Sequence, residues 1–246
     1  MKKAVKKILR IVQIPFIFLD FLRFRKNNTD KRFVAKISNA YPCIKDKTVK
    51  TGFDRHYVYH TSWAARVLKE INPKEHIDIA SSLFFSSIVS AFIPIKFFDY
   101  RPADLELDNL ETGSIDLTHL DFADDSIPSL SCMHTVEHIG LGRYGDSIDP
   151  QGDIKAAKEL ARVVSQGGSL LFVVPIGEKA LIEFNAHRIY TYTQVLELFP
   201  DLELKEFSLI PEHSKQGGLI RNADPTLLEG EHYACGCFWF KKPGKN

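Results

Sequence analysis

Most of the side chains that could do chemistry in this chain lie in one thirteen-residue stretch, residues 134–146. The stretch reads H-T-V-E-H-I-G-L-G-R-Y-G-D. An imidazole can act as a general acid or base near neutral pH, and a guanidinium can bind a phosphate or carboxylate group. The three glycines allow main-chain conformations that other residues resist. We therefore expect a polar, ligand-binding loop here.

His134, Glu137 and His138 also form H-x-x-E-H, the inverted form of a zinc-protease helix motif. That chemistry needs both histidines on one face of a continuous helix and a third protein ligand. Glycines at positions 140 and 142 would end a helix close to His138, and the residues before His134 are typical of a strand. The sequence therefore favours a site without a metal.

Strand-like and helical segments alternate through the middle of the chain, which predicts a mostly parallel sheet covered by helices. Strands are predicted at residues 76–80, 93–100, 113–116, 127–133 and 169–174, and helices at residues 59–71, 83–92 and 154–164. Asp149-Pro150 is typical of a helix start and Gly167-Gly168 of a helix end. The strand at 169–174 is apolar without alternation, as expected for a strand buried on both faces.

The end of the chain has a different pattern. A short helix at residues 192–199 is followed by strands at 202–209 and 233–240, which a polar loop joins. Two late strands of this kind predict an antiparallel hairpin at one sheet edge. The predicted fold class is therefore α/β, with a mostly parallel sheet, helices on both faces and a C-terminal antiparallel hairpin.

Four segments give the chain its family resemblance. They are residues 134–153, which continue the loop as S-I-D-P-Q-G-D, and then V-V-P-I-G, F-N-A-H-R and Y-A-C-G-C-F-W-F. Residues 78–188 resemble the class I S-adenosylmethionine (SAM)-dependent methyltransferases, and residues 78–240 more closely resemble the family called domain of unknown function 268. The resemblance implies a Rossmann-like methyltransferase fold and SAM as cofactor.

The resemblance places the first cofactor-binding residues at the end of the first strand. Asp78 and Ala80 stand where methyltransferases have a glycine-rich turn against the cofactor. The turn here reads D-I-A-S-S and has no glycine. Ser82 can cap the next helix or donate a hydrogen bond to a ligand. The missing glycines favour an alternative in which SAM affinity has been lost.

Three further residues complete the cofactor side that the resemblance implies. Asp99 ends the second strand, where an acidic residue accepts hydrogen bonds from the ribose hydroxyls. Asp116 matches the residue that contacts the adenine amino group, and Leu117 lies beside the expected adenine ring. Each acid has a simpler interpretation as a solvated or capping residue.

On the acceptor side, His134 and Arg143 are the predicted catalytic residues. His134 ends the fourth strand, where an imidazole can accept the proton of the acceptor. Arg143 can bind a phosphate or carboxylate group of the substrate. Glu137 and His138 are predicted to be structural. The predicted substrate-binding residues are Tyr144, Asp146, Asn185, His187 and Arg188, with surface solvation or a helix-entry hydrogen-bond network as the alternative.

Residues 1–32 are predicted to be a basic N-terminal segment outside a methyltransferase-like domain of residues 33–246. Residues 1–26 hold eight lysines and arginines against one aspartate, a net charge of +7, whereas the whole chain has +1. The apolar run at residues 11–22 is too short to span a bilayer. It favours an amphipathic segment on an anionic membrane surface. A helix packed on the core, an oligomer contact and a cleaved signal peptide are the alternatives.

The sequence thus predicts SAM-dependent methyl transfer to an oxygen or nitrogen of a small or glycan-type substrate, with polysaccharide biosynthesis as the expected context. The alternative is a catalytically inactive binding module or scaffold with the same fold. Four scattered cysteines indicate a reduced, cytoplasmic compartment, at the inner face of a membrane if the N-terminal segment binds lipid. The charge of the chain indicates no nucleic-acid partner.

Overall fold

The computed structural model describes residues 2–30, 32–44 and 46–244. The chain forms two compact units, residues 1–53 and 54–246. The domain boundary predicted between residues 32 and 33 falls inside the first unit. The side chains of residues 2–13, which carry the first five basic groups of the predicted membrane segment, lie outside the described part.

The first unit is built on one long helix, α1 (Lys2–Asn27), which contains Pro15. A short 3₁₀ turn, Ile37–Asn39, follows in an otherwise irregular stretch. Ile14, Phe16 and Phe24 are each at least half exposed. At about 100° per residue, Ile14 and Phe16 point to nearly opposite sides of the helix. The helix is therefore apolar on more than one face over residues 14–24, which differs from the single apolar face expected for an amphipathic segment.

No helix among residues 2–30, 32–44 and 46–244 has the length and apolar character needed to cross a bilayer.

The second unit contains a seven-stranded sheet in the order β3-β2-β1-β4-β5-β9-β8. The first five strands in chain order are parallel, and β9 pairs antiparallel with both β5 and β8. This confirms the predicted parallel sheet with a C-terminal antiparallel hairpin. The strands are β1 (His76–Ile79), β2 (Ile95–Asp99), β3 (Leu110–Ser114), β4 (Ile127–Met133), β5 (Val164–Ile176), β8 (Glu203–Ile210) and β9 (Ala234–Lys241).

Helices cover both faces of this sheet, as predicted. They are α2 (Arg55–Ile71), α3 (Leu83–Val89), α4 (Gly152–Val163) and α5 (Tyr192–Leu198). Helices are needed on both faces of the sheet because the side chains of β5 alternate between two apolar cores. Leu170 and Phe172 pack with α4 and α5, whereas Leu171 and Val173 pack with α2 and α3. The strand is buried on both faces, as its unbroken apolar run indicates.

Two local features differ from the predictions. Helix α4 begins at Gly152 and not at Pro150, because Asp149 accepts the Gln151 N–H and closes a turn before the helix. The helix ends at Val163, and Gly167-Gly168 belongs to β5. There the register against β4 shifts between Ile127 and Ser129, and Gly167 has φ +73°. These glycines therefore form a strand irregularity rather than a helix end.

A small second sheet was not predicted. It pairs β6 (Leu181–Glu183) with β7 (His187–Ile189) in an antiparallel hairpin between β5 and α5. The strands have three residues each, and all of β6 is exposed, so no apolar alternation marks them in the sequence.

Candidate functional site

The carboxyl ends of β1, β2 and β4 surround a cavity of about 380 Å³, called cavity A here. Such an edge is where open α/β sheets bind ligands. The predicted residues Ala80, Asp99, Asp116 and Leu117 line it, as do His134, Tyr144 and Asp146. Asp78 and Ser82 do not line it. The structure therefore gathers four of the six predicted cofactor residues around one cavity.

The turn after β1 keeps a glycine-like main chain although it has no glycine. Ala80 has φ +54°, in the left-handed region that favours glycine. Its N–H donates to Phe98 O of β2, and its carbonyl accepts the Thr135 hydroxyl, so neighbours on both sides hold this conformation. Ala80 is thus a non-glycine residue in a glycine-like conformation at the wall of cavity A.

Asp78 supports this turn from inside the sheet. It is fully buried, and its carboxylate accepts hydrogen bonds from the hydroxyls of Ser81, Ser86 and Ser131. Burial raises the pKa of Asp78 to about 6, although the three serines oppose that rise. The side chain is thus a structural anchor of the β1 turn.

Asp99 and Asp116 each keep one carboxylate oxygen for a ligand. Asp99 Oδ1 accepts the Arg101 N–H at 2.8 Å. Asp116 Oδ1 accepts both the N–H and the hydroxyl of Thr118. Within the described residues, Oδ2 of each acid has no protein partner. The two carboxylates are therefore oriented by their own loops and can accept hydrogen bonds in cavity A.

A second cavity, called cavity B, has a volume of about 400 Å³. Tyr57, His134, His138 and Tyr144 line both cavities, and we call these four residues the junction. Cavity B also receives His56 from the first turn of α2, His187 from β7, and Tyr233. Together with His60, five of the nine histidines of the chain meet here. Such a concentration of imidazoles is typical of a functional site.

His134 stands at the centre of this cluster. It follows β4 with φ +56° and is buried. Its Nδ1 lies 2.9 Å from Glu137 Oε1, and its Nε2 lies 3.5 Å from Cys235 Sγ. Its ring stacks on His56, with the centroids 5.3 Å apart. Both imidazole nitrogens therefore have partners.

The pKa of His134 is shifted in the opposite direction to the pKa values of the neighbouring histidines. Burial by itself lowers the pKa of His134, but Cys235 and Glu137 outweigh it and raise the pKa to about 10. Burial, with His134 nearby, lowers the pKa of His56 to about 4 and the pKa of His60 well below its usual value. His56 and His60 are therefore neutral near pH 7, whereas His134 is paired with the Glu137 carboxylate.

Arg143 and Arg101 flank Tyr144. Their guanidinium carbons lie 5.1 Å and 4.7 Å from the centre of its ring, within cation–π range. Arg143 also donates to Ala186 O at 2.9 Å and remains exposed at cavity B, whereas Arg101 lines cavity A. Tyr144 thus holds one cation near each cavity. Arg101 was not predicted, because a lone arginine before Pro102 has no distinctive spacing.

The remaining predicted residues take other places. The Asp146 carboxylate accepts N–H groups from Gly140, Gly142 and Tyr144, which closes the glycine loop at the wall of cavity A. Arg188 is buried, donates to Ile139 O and pairs with Asp153. Asn185 is exposed in the β6–β7 turn and lines neither cavity. Of Asn185, His187 and Arg188, only His187 lines cavity B.

His56 of cavity B, and His60 and Cys235 beside it, were not predicted from the sequence. His56 and His60 are four residues apart on α2, one helical turn, and this spacing was a usable signal. Cys235 had no such signal, because its nearness to His134 depends on the insertion of β9 beside β5.

Comparison with a family model identifies one region of the chain. Residues 117–217 match the family described as "Caenorhabditis protein of unknown function, DUF268". This region contains the junction residues His134, His138 and Tyr144. No curated protein sequence matches the chain.

Solved structures share the fold at low sequence identity. A chain of the Haloferax volcanii complex between the Trm112 methyltransferase activator and a candidate methyltransferase has 16% identity and a TM-score of 0.53, over 78% of this chain and 92% of that one. A candidate methyltransferase of Bacillus halodurans has 15% identity and a TM-score of 0.51, over 74% and 99%.

A third similar structure contains ligands. It is the 1,6-didemethyltoxoflavin-N1-methyltransferase of Burkholderia thailandensis with bound 1,6-didemethyltoxoflavin and S-adenosylhomocysteine. It has 10% identity and a TM-score of 0.50, over 75% of this chain and 78% of that one. At such identities, the three comparisons bear on the fold alone.

Proposed function

We propose that this chain, which has a Rossmann-like methyltransferase fold and carries a DUF268 region, binds SAM in cavity A and transfers its methyl group to an acceptor in cavity B. The observation that carries the proposal is the pair of carboxylates at the carboxyl ends of β2 and β3. Asp99 and Asp116 line the same cavity, and each has one oxygen without a protein partner among the described residues. The volume of cavity A suits a small ligand.

The junction is the proposed place of transfer. Displacement at a sulfonium methyl group needs the acceptor atom in line with the breaking bond, so positioning is the main task of the protein. Four side chains that line both cavities can supply that alignment. His134 as a general base stays a prediction, because that role needs the neutral imidazole and Glu137 favours the charged one.

The acceptor is proposed to be a small or glycan-type molecule that is methylated on oxygen or nitrogen. The exposed Arg143 at cavity B supports an anionic group on it, such as a phosphate or carboxylate. The exposed apolar side chains of α1, together with Arg23, Arg25 and Lys26, support contact with an anionic membrane surface. A lipid-linked acceptor at the cytoplasmic face would suit both features.

Calorimetric titration with SAM and with S-adenosylhomocysteine tests the proposal. We expect saturable binding to the wild-type chain, and Asp99→Ala should weaken it about 10- to 100-fold, since one or two hydrogen bonds to a charged group are lost. Asp108→Ala is the matched control. It is an exposed aspartate just before the amino end of β3 and does not line cavity A, and it should leave the Kd unchanged. A folded wild-type chain that binds neither ligand at about 1 mM would exclude the proposal.

An inactive scaffold remains a second candidate because of Ala80. Ala80 lines cavity A in a conformation that favours glycine, so it carries a methyl group where glycine would have none. If this methyl group blocks the cofactor, Ala80→Gly should convert a non-binding chain into one that binds SAM. If the wild-type chain already binds SAM, the same change should alter the Kd by less than about tenfold.

A further inference from the structure

His56, His134 and Cys235 form a compact trio of metal-ligating side chains. One ligand atom of each lies within 4.8 Å of the other two. The trio joins three separate elements: the start of α2, the residue after β4, and β9. Two imidazoles and a thiol are the donor set that zinc prefers, and tightly bound zinc sites with an open position often have three protein ligands. No metal was predicted from the sequence, because His56, His134 and Cys235 are far apart in the chain and Cys235-x-Cys237 has no histidine near it in the sequence.

The distance within the trio suits a tetrahedral ion. With Zn–N near 2.0–2.1 Å and Zn–S near 2.3 Å, adjacent ligand atoms lie about 3.5 Å apart. His134 Nε2 and Cys235 Sγ are 3.5 Å apart. The His56 ring stacks on His134, so His56, which is half-buried at a helix start, would have to turn its ring and shift by about 1 Å to bring the third ligand to the same spacing.

The surroundings of the trio resemble a metal site as well. Ligand histidines usually donate their second nitrogen to a carboxylate or carbonyl, which fixes the ring and its tautomer. Glu137 Oε1 lies 2.9 Å from His134 Nδ1, which leaves Nε2 for the metal. Glu137 is 1% exposed, and its Oε2 has no partner in the described part of the chain. A buried carboxylate of this kind is most easily stabilised by a nearby cation.

A further buried atom without a partner points to the same place. His60 is fully buried, and its Nδ1 lies 2.7 Å from His56 O. Its Nε2 has no partner among the residues that the structure describes. The His60 ring centroid is 4.9 Å from that of His134. A buried imidazole nitrogen without a partner is costly unless an ion, a water molecule or a ligand satisfies it.

We propose that His56, His134 and Cys235 bind a divalent metal ion of the zinc class, with its open coordination position facing cavity B. His56 and His134 line that cavity, whereas Cys235 is buried behind it. An acceptor hydroxyl or thiol in cavity B could then bind the metal, which would lower the pKa of that group so that its proton is released to solvent without an imidazole base. This site does not depend on SAM binding in cavity A.

The test uses the full-length chain after dialysis against a chelator. Zinc affinity is measured by competition with a chromophoric chelator, and cobalt(II) replaces zinc for absorption spectroscopy. We expect one tightly bound ion per chain and, with cobalt, a thiolate-to-metal charge-transfer band. Cys235→Ser should remove that band, and Cys235→Ser and His56→Gln should each weaken zinc binding by more than about 100-fold. Glu137→Gln should weaken it about 10- to 100-fold, as expected for a group that orients a ligand.

Matched controls separate this site from non-specific binding. Cys132 is a buried cysteine in the other core, and His119 is an exposed histidine outside both cavities. Cys132→Ser and His119→Gln should retain the affinity and the cobalt spectrum, and near-ultraviolet circular dichroism checks the fold of every variant. Zinc binding that is equal in wild type and Cys235→Ser, or a cobalt complex without the thiolate band, would overturn the proposal. SAM titrations on the same metal-free and metal-loaded samples test SAM binding independently of metal binding, so that the two proposals can fail separately.

Discussion

At the scale of single residues, the chain places charged groups inside the sheet and surrounds them with specific partners. Asp78 is fully buried among three serine hydroxyls, and Glu137 is buried beside His134. The buried Asp78 carboxyl does not contribute to stability only through packing, because burial raises its pKa and makes its contribution depend on protonation. The two acids support opposite sides of the junction, through the β1 turn and through the loop after β4.

Asp78 should make the stability of the fold depend on pH. Its pKa is about 6 in the folded chain against an ordinary value of 3.8, so the folded state binds the proton more tightly. Its contribution is fully present below about pH 4 and is lost as the pH rises through 6. From about pH 4.5 to 7.5, wild type should lose about 2 kcal/mol of unfolding free energy relative to Asp78→Asn.

Urea unfolding of both proteins at the two pH values measures this loss. Asp108→Asn, an exposed aspartate, serves as the control and should follow wild type. A difference between wild type and Asp78→Asn that stays constant with pH would show that the buried carboxyl does not titrate in this range.

Much of the site at this scale could not be predicted from the sequence. The shared position of Asp99 and Asp116 at one cavity was predictable, because the carboxyl ends of parallel strands meet at one side of the sheet; their role in binding stays a prediction. Arg188 was predicted to bind substrate, but it is buried against Asp153, a pairing between residues far apart in the chain. Cys235 is separated from His134 by about a hundred positions. Contacts of this kind depend on tertiary packing and not on local spacing.

At the scale of elements, a buried polar network joins helix α2 to the sheet. Trp63 Nε1 donates to Glu206 Oε1 of β8 at 2.9 Å. Arg221 binds Glu206 and also Glu70 of α2. Glu206 is 6% exposed. This network, with the apolar contacts of Trp63 and Leu68, fixes the helix that carries His56 and Tyr57 to the junction.

Arg221→Met should therefore destabilise the fold by about 2–4 kcal/mol, because it leaves the Glu206 carboxylate buried without its cation. Lys96→Met is the matched control. It breaks the Lys96–Glu75 pair, whose nitrogen and oxygen are 3.0 Å apart at a more exposed position, and should cost about 0.5 kcal/mol or less. Thermal or urea unfolding measures both. Equal effects of the two substitutions would contradict the role given to the Glu206 network.

The elements themselves were largely predictable. Residues 127–133 form β4 with the predicted bounds, and the late hairpin lies where the sequence indicates. The exceptions are local: α4 begins two residues after Pro150, and β6 and β7 are too short to show a period. In each case, hydrogen bonds to nearby main chain, and not apolar periodicity, decide the structure.

At the scale of the whole molecule, charge is distributed unevenly along the chain. The net charge of residues 1–26 is +7 against +1 for the entire sequence, so the remaining residues sum to −6. The part of α1 from residue 14 onward also exposes large apolar side chains. Basic charge would attract this segment to anionic lipid, and its exposed apolar side chains could enter the headgroup region although they lie on more than one face of α1.

Deletion of residues 1–26 should abolish cosedimentation of the chain with vesicles that contain anionic lipid. The full-length chain should bind anionic vesicles more strongly than neutral ones, and binding should weaken as salt rises, because screening reduces the attraction. Calorimetric SAM titration of the shortened chain checks that the second unit is intact. Unchanged pelleting after the deletion would contradict a membrane role for α1.

The position of β9 means that the sheet cannot be completed until this late strand has been synthesised. This strand ends at Lys241, yet it lies between β5 and β8 and not at an edge of the sheet. Until β9 has been synthesised and has left the ribosome, β5 keeps an unpaired, almost fully apolar edge, which is a template for aggregation. The histidine cluster also lacks Cys235 until that moment. A chain that lacks β9 should therefore be insoluble as well as incomplete.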